Sequence, residues 1–368
     1  MHPYWFLFII PAFLALIGAR RKINPITNKF STRIDFLWLT VIFVLTVVIG
    51  FRYYVGGDWG NYYWQVERSI GIPFTESFTL RGDPLFSILN WLSGNLGFSV
   101  YGVQIFSGLI FSYGLSKFCL TLPRPFLALT VAIPYLVIVV AMGYSRQGLA
   151  IGLVLIALIA LMDQKKFKFM ILILISASIH KSAIILLPIL GYVSQTNKFW
   201  NLIWVAIASV IAFFVFVSAY LEFLIYAYFE SEYNSAGAFI RLLMSMLCAL
   251  IFLLFSKNFN FDEQNLLIWK FFSYASILLF LAFFVSSSST ALDRIALYFI
   301  PLQLVVLSYL PEIFKVSKKF SQALRWSIVF YCSMVLTVWL LFADSSYRWI
   351  PYKSFLFELV DYKDTRLL

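Results

Sequence analysis

The chain has 368 residues, 62% of them hydrophobic, 20% aromatic and only 12% charged, with a formal net charge of +11. Water-soluble domains carry about 25% charged residues, so the composition excludes a soluble globular protein. It leaves an all-α polytopic integral membrane protein, with room for about a dozen spans of ~20 residues.

No polar stretch is long enough to fold alone, so residues 1–368 read as a single transmembrane domain. The three cysteines, Cys119, Cys248 and Cys332, lie in or beside apolar runs without metal-ligand spacing, and two histidines are too few for a histidine-built metal site.

Twelve apolar runs read as membrane segments: 3–19, 35–51, 99–118, 125–143, 146–162, 168–180, 182–194, 200–221, 238–256, 267–286, 294–311 and 325–343. Arg20-Arg21-Lys22 follow the first run, the reverse of a secretory signal, so its N-terminus is expected outside. The alternation then puts most basic residues on inner loops, among them Lys165, Lys166, Lys318 and Lys319. Most acidic ones fall outside, including Asp58, Glu67, Asp83, Glu222 and Glu230. Topology therefore accounts for the basic excess, and no nucleic-acid partner is expected.

The second run ends in Gly50-Phe51-Arg52-Tyr53-Tyr54-Val55-Gly56-Gly57-Asp58, a charged and irregular stretch against a membrane helix. Such backbone costs several kcal/mol at membrane depth unless it lines a protein cavity. The outer loop that follows, about 52–98, contains an amphipathic piece, Pro84 to Leu96, expected on or in the outer interface. Residues 168–194 are expected as a broken or re-entrant pair. Each half is about 18 Å long at 1.5 Å per residue, short of a ~30 Å core. Its apex is His180-Lys181-Ser182.

Three arginines sit where helices are expected to start at the outer face: Arg146 (followed by Gln147), Arg241, and Arg294 behind Asp293. First turns favour acidic side chains because their free N–H groups present positive potential. An arginine there is unfavourable unless a strong anion joins it, and helix N-termini and arginine forks both suit phosphate. With Arg52, Arg81 and Lys181 this gives a cationic level suited to a pyrophosphate group delivered from the membrane. Arg241 and Arg81 are also well placed simply to pair with outer carboxylates or to snorkel.

His180 is a candidate general base, and Asp58 and Asp83 are rivals. As ordinary structural residues, Asp58 would cap a glycine turn and Asp83 would pair with Arg81 at the start of the Pro84 helix. Tyr53, Tyr54, Trp59, Tyr62, Tyr63, Trp64 and Trp91 read either as an interfacial belt or as stacking surfaces for sugars. No P-loop, GxGxxG or HExxH occurs.

Gly50-Phe51-Arg52-Tyr53 with Val55-Gly56-Gly57-Asp58 and Tyr62 resembles the first signature block of the EpsG family of Wzy-like bacterial polysaccharide polymerases. The resemblance continues in order through Asp83-Pro84-Leu85-Phe86, where aspartate replaces the commoner glutamate, and Ser145-Arg146-Gln147-Gly148-Leu149-Ala150. Then come His180-Lys181-Ser182-Ala183, Asp293-Arg294 and Trp349-Ile350-Pro351-Tyr352.

The resemblance implies a GT-C-like glycosyltransferase of the bacterial inner membrane, acting at its periplasmic face without cofactor, nucleotide sugar or metal. Its partners would be undecaprenyl-pyrophosphate-linked glycans as donor and acceptor, with membrane lipids and a chain-length regulator protein. Arg146 and Arg294, helped by Arg52, would then hold the donor pyrophosphate, His180 or Asp58 would act as base, and Asp83 and the tyrosines would position sugars. A lipid-linked oligosaccharide flippase is the main rival, but it would need charge along a path to both faces. A membrane O-acyltransferase would need an inner-face histidine, and a scaffolding subunit would leave the outer arginines unexplained.

Overall fold

A computed structural model describes residues 1–18, 23–24, 29–78, 83–193, 203, 237–286, 289–314 and 317–357. Apart from a two-residue antiparallel ladder, Ile23–Asn24 with Lys29–Phe30, the described regular structure is helical. Arg81 and, residue 203 apart, the apolar run 200–221, with Glu222 and Glu230 beyond it, lie outside the described residues.

The first half contains α1 (His2–Ile17), α2 (Phe36–Gly50), α3 (Trp59–Glu67), α4 (Phe74–Ser77), α5 (Pro84–Asn95) and α6 (Ser99–Cys119). Next come α7 (Pro125–Ala132), which runs into a π-helical stretch over Ile133–Ala141, then α8 (Ser145–Met162) and α9 (Lys166–Ile179). A 3-10 turn over Lys181–Leu186 leads to α10 (Ile189–Tyr192). The last described helices are α11 (Ala238–Phe255), α12 (Glu263–Ala282), α13 (Ser289–Ala296), α14 (Pro301–Ile313) and α15 (Lys318–Phe342).

Local chemistry sets many of these boundaries. The Asp35 carboxylate accepts from the Trp38 N–H at 3.0 Å, Asp262 from Asn265 at 2.7 Å and Ser317 from Phe320 at 3.1 Å, each satisfying an orphan donor at a helix start. Pro84, Pro125 and Pro301 occupy first helical positions, where a missing N–H costs nothing.

Every expected apolar run among the described residues is helical, and the protein is a multi-pass membrane protein. Four helices, Ser145–Met162, Ala238–Phe259, Glu263–Ala282 and Lys318–Phe342, are long and apolar enough to cross a membrane. The bent pair Ser289–Phe299 with Pro301–Ile313 makes a fifth if its two helices count as one span. The apolar run expected over 294–311 falls on this pair, which is bent by 49° at the break before Pro301. Large apolar side chains such as Phe36, Leu254 and Phe330 face outward, as they would toward lipid.

The expected break at 168–194 is present: α9 stops at Ile179, and His180 is extended (φ −148°, ψ 109°) before the 3-10 turn.

Helix α6 packs against both α2 and α8. A Cβ on Gly114 would stand 2.2 Å from the Gly152 carbonyl oxygen, so α6 and α8 touch backbone to backbone. At the end of the bundle where α1 stops, Arg124 bonds Glu312 at 2.7 Å and the Gly18 carbonyl at 3.2 Å, while Arg325 bonds the Leu16 carbonyl at 2.6 Å. The two guanidiniums satisfy the last carbonyls of α1 and oppose its dipole.

At the other end, residues 346–355 form a strap over the loop that follows α2. The Gly56 N–H donates to Arg348 O at 2.9 Å, Tyr53 N–H to Lys353 O at 3.0 Å, and Phe355 N–H to Phe51 O at 2.8 Å. Fully buried Trp349 anchors the strap, its Nε1 donating to the Ile138 carbonyl at 2.8 Å.

Candidate functional site

The loop from Phe51 to Asp58 is held on three sides. Arg52 is fully buried. Its Nε donates to Val55 O at 3.1 Å, one terminal nitrogen reaches the Ile49 carbonyl, and the other bonds Ser145 Oγ at 2.5 Å. Trp59 Nε1 donates to the Arg52 carbonyl at 3.0 Å. Gly56 has φ +102°, and a Cβ there would stand 2.3 Å from Met142 O. The Val55–Gly57 backbone therefore lies directly on the turn that opens α8.

This loop ends at Asp58, the residue before α3, and α3 itself went unread in the sequence, where 52–98 was a loop with one amphipathic piece. Helix α3 buries Trp59, Tyr62 and Val66 and turns Asn61, Trp64, Gln65 and Arg68 the other way. The amphipathic piece is present as α5, whose buried face, including Phe86, Ser87 and Asn90, packs on α3, α6 and α9 rather than lying free.

Asp58, Asn61, Tyr62, Trp64, Gln65, Arg68, Arg146 and Arg294 line a polar cavity of about 370 Å³. Arg146 stands in the first turn of α8, as expected. Its Nη1 lies 3.1 Å from Asp83 Oδ2, its Cζ stands 5.9 Å from the Phe86 ring centre, and its backbone N–H donates to Tyr62 Oη at 3.4 Å. Lys181 Nζ is 4.0 Å from the other Asp83 oxygen. Asp83 thus joins the start of α8 to the break after α9 and makes no side-chain cap for α5, while its other expected partner, Arg81, lies outside the described residues.

Asp58 likewise makes no side-chain cap for α3. Burial holds its carboxyl above the ordinary carboxylate range, against the opposing pull of Arg294, Arg146, an Asn61 hydrogen bond and Arg348. Burial raises the Asp83 carboxyl too, with Arg146 and Lys181 opposing.

The cationic level is smaller than the sequence implied. Arg241 forms a two-pronged ion pair with Asp293, at 2.7 and 2.6 Å, beneath the Tyr135 ring. It lines a separate pocket of about 30 Å³ with Leu136, Ser245 and Gln303. Arg52 is not among the residues lining the large cavity: its donors are spent on the loop and on Ser145. Arg294 does line it, but from the last turn of short α13 rather than from a helix start. Gln147 Nε2 donates to the Arg294 carbonyl at 2.8 Å.

Buried His180 meets Tyr298 Oη through Nδ1 at 2.9 Å and does not line the cavity. Tyr53 packs edge-on to Trp59 at 5.6 Å in an aromatic cluster beside α3, whereas Tyr62 lines the cavity.

Sequence reasoning missed Asn61, Gln65, Arg68 and Arg348. The first three repeat at helical spacing behind Asp58, a signal present in the sequence. Arg348 carried none: the strap brings it from the far end of the chain, its Nη1 3.4 Å from where a Gly57 Cβ would stand. Among the described residues no group of three His, Cys, Asp or Glu side chains could hold a metal ion.

Fold and site together define a membrane protein with one polar cavity, lined by a carboxylate, arginines and side-chain amides. The chain belongs to the EpsG family, whose model matches residues 35–354, a family of Wzy-like polysaccharide polymerases. This makes it a membrane polysaccharide polymerase of glycosyltransferase type. No curated protein and no solved structure matches the chain.

Proposed function

We propose that the protein joins oligosaccharide repeat units carried on undecaprenyl pyrophosphate, in an O-antigen, capsule or exopolysaccharide pathway. The carrying observation is that one carboxylate, Asp58, and three arginines, Arg68, Arg146 and Arg294, converge on one polar cavity beside membrane helices. In this reading about twelve segments of GT-C-like arrangement cross the inner membrane, and the cavity opens to the periplasm. The positive-inside distribution of Lys and Arg supports that orientation.

The Asp58 carboxylate takes the proton from an acceptor-sugar hydroxyl as that oxygen bonds to the donor's anomeric carbon. The bond from that carbon to the pyrophosphate oxygen breaks, and undecaprenyl pyrophosphate leaves with the electron pair. Arg146 and Arg294 hold the charge that develops, and the Asp58 proton passes to water. Asp58 is preferred to His180 as base because it lines the cavity, whereas His180 is packed behind it on Tyr298. Asp83 and Lys181 are assigned to positioning Arg146 and His180 to the packing on Tyr298 behind the cavity, with Arg52 and Gln147 supporting the loop and Arg294.

The test is purified protein with an undecaprenyl-pyrophosphate-linked repeat unit and no nucleotide sugar or metal. A ladder of repeats with release of undecaprenyl pyrophosphate is expected. Intact single units, with movement of the same lipid across liposomes, would replace this reading with a flippase.

A further inference from the structure

The cavity has more polar wall than a pyrophosphate needs. Asn61, Gln65 and Arg68, spaced four and three apart, form with Trp64 a stripe along α3 and its C-cap, on the face opposite the buried Trp59, Tyr62 and Val66. A polar stripe on a short helix is ordinarily just its solvated side. Three features set this one apart.

First, Trp64 stands in the middle of the stripe and is 47% exposed, with its neighbour Tyr63 edge-on at 5.6 Å. An indole face left open beside amides suits a ligand with one apolar face and a hydroxyl rim. Second, the Gln65 amide is oriented: Asn90 Nδ2 donates to its Oε1 at 3.3 Å, which leaves Nε2 as a donor for the cavity. Third, the helix is fixed in place. Ser69 Oγ reaches Asn90 O at 3.1 Å, Asn95 Nδ2 reaches Ser69 O at 3.0 Å, and Trp91 Nε1 reaches Ile72 O at 2.7 Å. A rigid surface loses little entropy when it binds.

From these we infer that the exposed face of α3 is the acceptor-sugar subsite: Trp64 carries a pyranose face, Asn61 and Gln65 bond its hydroxyls, and Arg68 closes the far end with its fork. The inference rests on the polymerase reading and adds which substrate lies where. Asp58 immediately precedes α3, so the hydroxyl that it deprotonates belongs to the sugar lying along this helix. Arg146 and Arg294, from α8 and α13, stay with the donor pyrophosphate. From Asp58 to Gln65 the helix rises roughly 10 Å, room for more than one ring.

The test is lipid binding to full-length protein in detergent, with two probes. One is the lipid-linked repeat unit extracted from cells that lack this polymerase, and the other is undecaprenyl pyrophosphate without sugar. The subsite predicts that wild-type protein binds the first at least tenfold more tightly. It also predicts that Trp64→Ala and Gln65→Ala erase most of that advantage while leaving undecaprenyl pyrophosphate binding unchanged. Arg68→Gln, a change at an exposed position that leaves the helix packing intact, should weaken only the sugar-bearing probe, several-fold. Equal binding of the two probes by wild type, or an undiminished preference in all three variants, overturns the subsite. Failure of wild type to bind either probe overturns the polymerase reading, and the subsite with it.

Discussion

The side-chain amide of Gln147 donates to the backbone carbonyl of Arg294 at 2.8 Å, tying the first turn of α8 to the last turn of α13. The bond matters because each element carries one cavity arginine: Arg146 is the neighbour of Gln147, and Arg294 is the acceptor itself. The distance between two guanidiniums that must share one anion is thereby set by a third side chain. Gln147→Ala removes the donor and leaves the carbonyl wanting a partner, at a cost of about 1–3 kcal/mol. Polymerisation should fall about tenfold, through a weaker hold on the lipid pyrophosphate. Gln147→Glu should not restore it, because a carboxylate cannot donate to a carbonyl. Repeat-unit ladders from purified variants provide the measurement.

Arg146 meets Asp83 at 3.1 Å, yet nearly a third of its side chain remains exposed toward the cavity. Arg146→Ala should lower the rate by on the order of 10²–10³-fold, the loss seen when one preorganised donor to a developing charge is removed. Cells carrying it should accumulate single capped repeat units in place of polymer. Normal chain lengths from this variant would defeat the pyrophosphate assignment. Asp83→Asn should do less harm, because it weakens only the hold on Arg146 and Lys181.

Burial keeps the Asp58 carboxyl above its ordinary range in the folded protein. Two pH effects follow. As a base, Asp58 works only when ionised, so the rate should climb with pH through that raised value and the climb should vanish in Asp58→Asn. For stability the sign is opposite. A group with a raised folded-state pKa contributes stability below its unfolded value of about 3.9, and that contribution is lost as pH rises through the folded value. Asp58→Asn should therefore be inactive at neutral pH and have a higher melting midpoint there than wild type. A lower midpoint at pH 7 would show that the surrounding arginines stabilise the charge more than burial penalises it.

Apolar runs made the helices legible, and the length of 168–194 with the charge of its flanking loops made the break at His180 legible. The bend at Pro301 and the α3 helix were less visible. Pro301 follows an apolar stretch with no polar signal at the break. Helix α3 alternates tyrosines and tryptophans that suit an interface as well as a core. The arginines were legible as a group but not individually. Arg241 and Arg294 look alike in sequence, each at the edge of an apolar run. Only the chain path shows that Asp293 neutralises the first and leaves the second in the cavity. Arg52, the most conspicuous charge in the sequence, is spent on holding the loop.

Two glycines a few residues apart test whether that loop shapes the cavity. A Cβ on Gly56 would stand 2.3 Å from Met142 O and 3.0 Å from Gly143 Cα, and the residue has φ +102°. Gly60, inside α3, would meet nothing within 4 Å. Gly56→Ala must push the loop off the start of α8 while adopting a backbone conformation that L-residues resist, at a strain cost of about 1–3 kcal/mol. It should lower the melting midpoint and, by moving Asp58 relative to Arg146, reduce polymerisation more than the stability loss explains. Gly60→Ala should raise the midpoint slightly, since alanine favours a helix over glycine by ~1 kcal/mol, and should leave the ladder unchanged. Equal behaviour of the two variants would show that the loop's contact with Met142 does not set the position of Asp58.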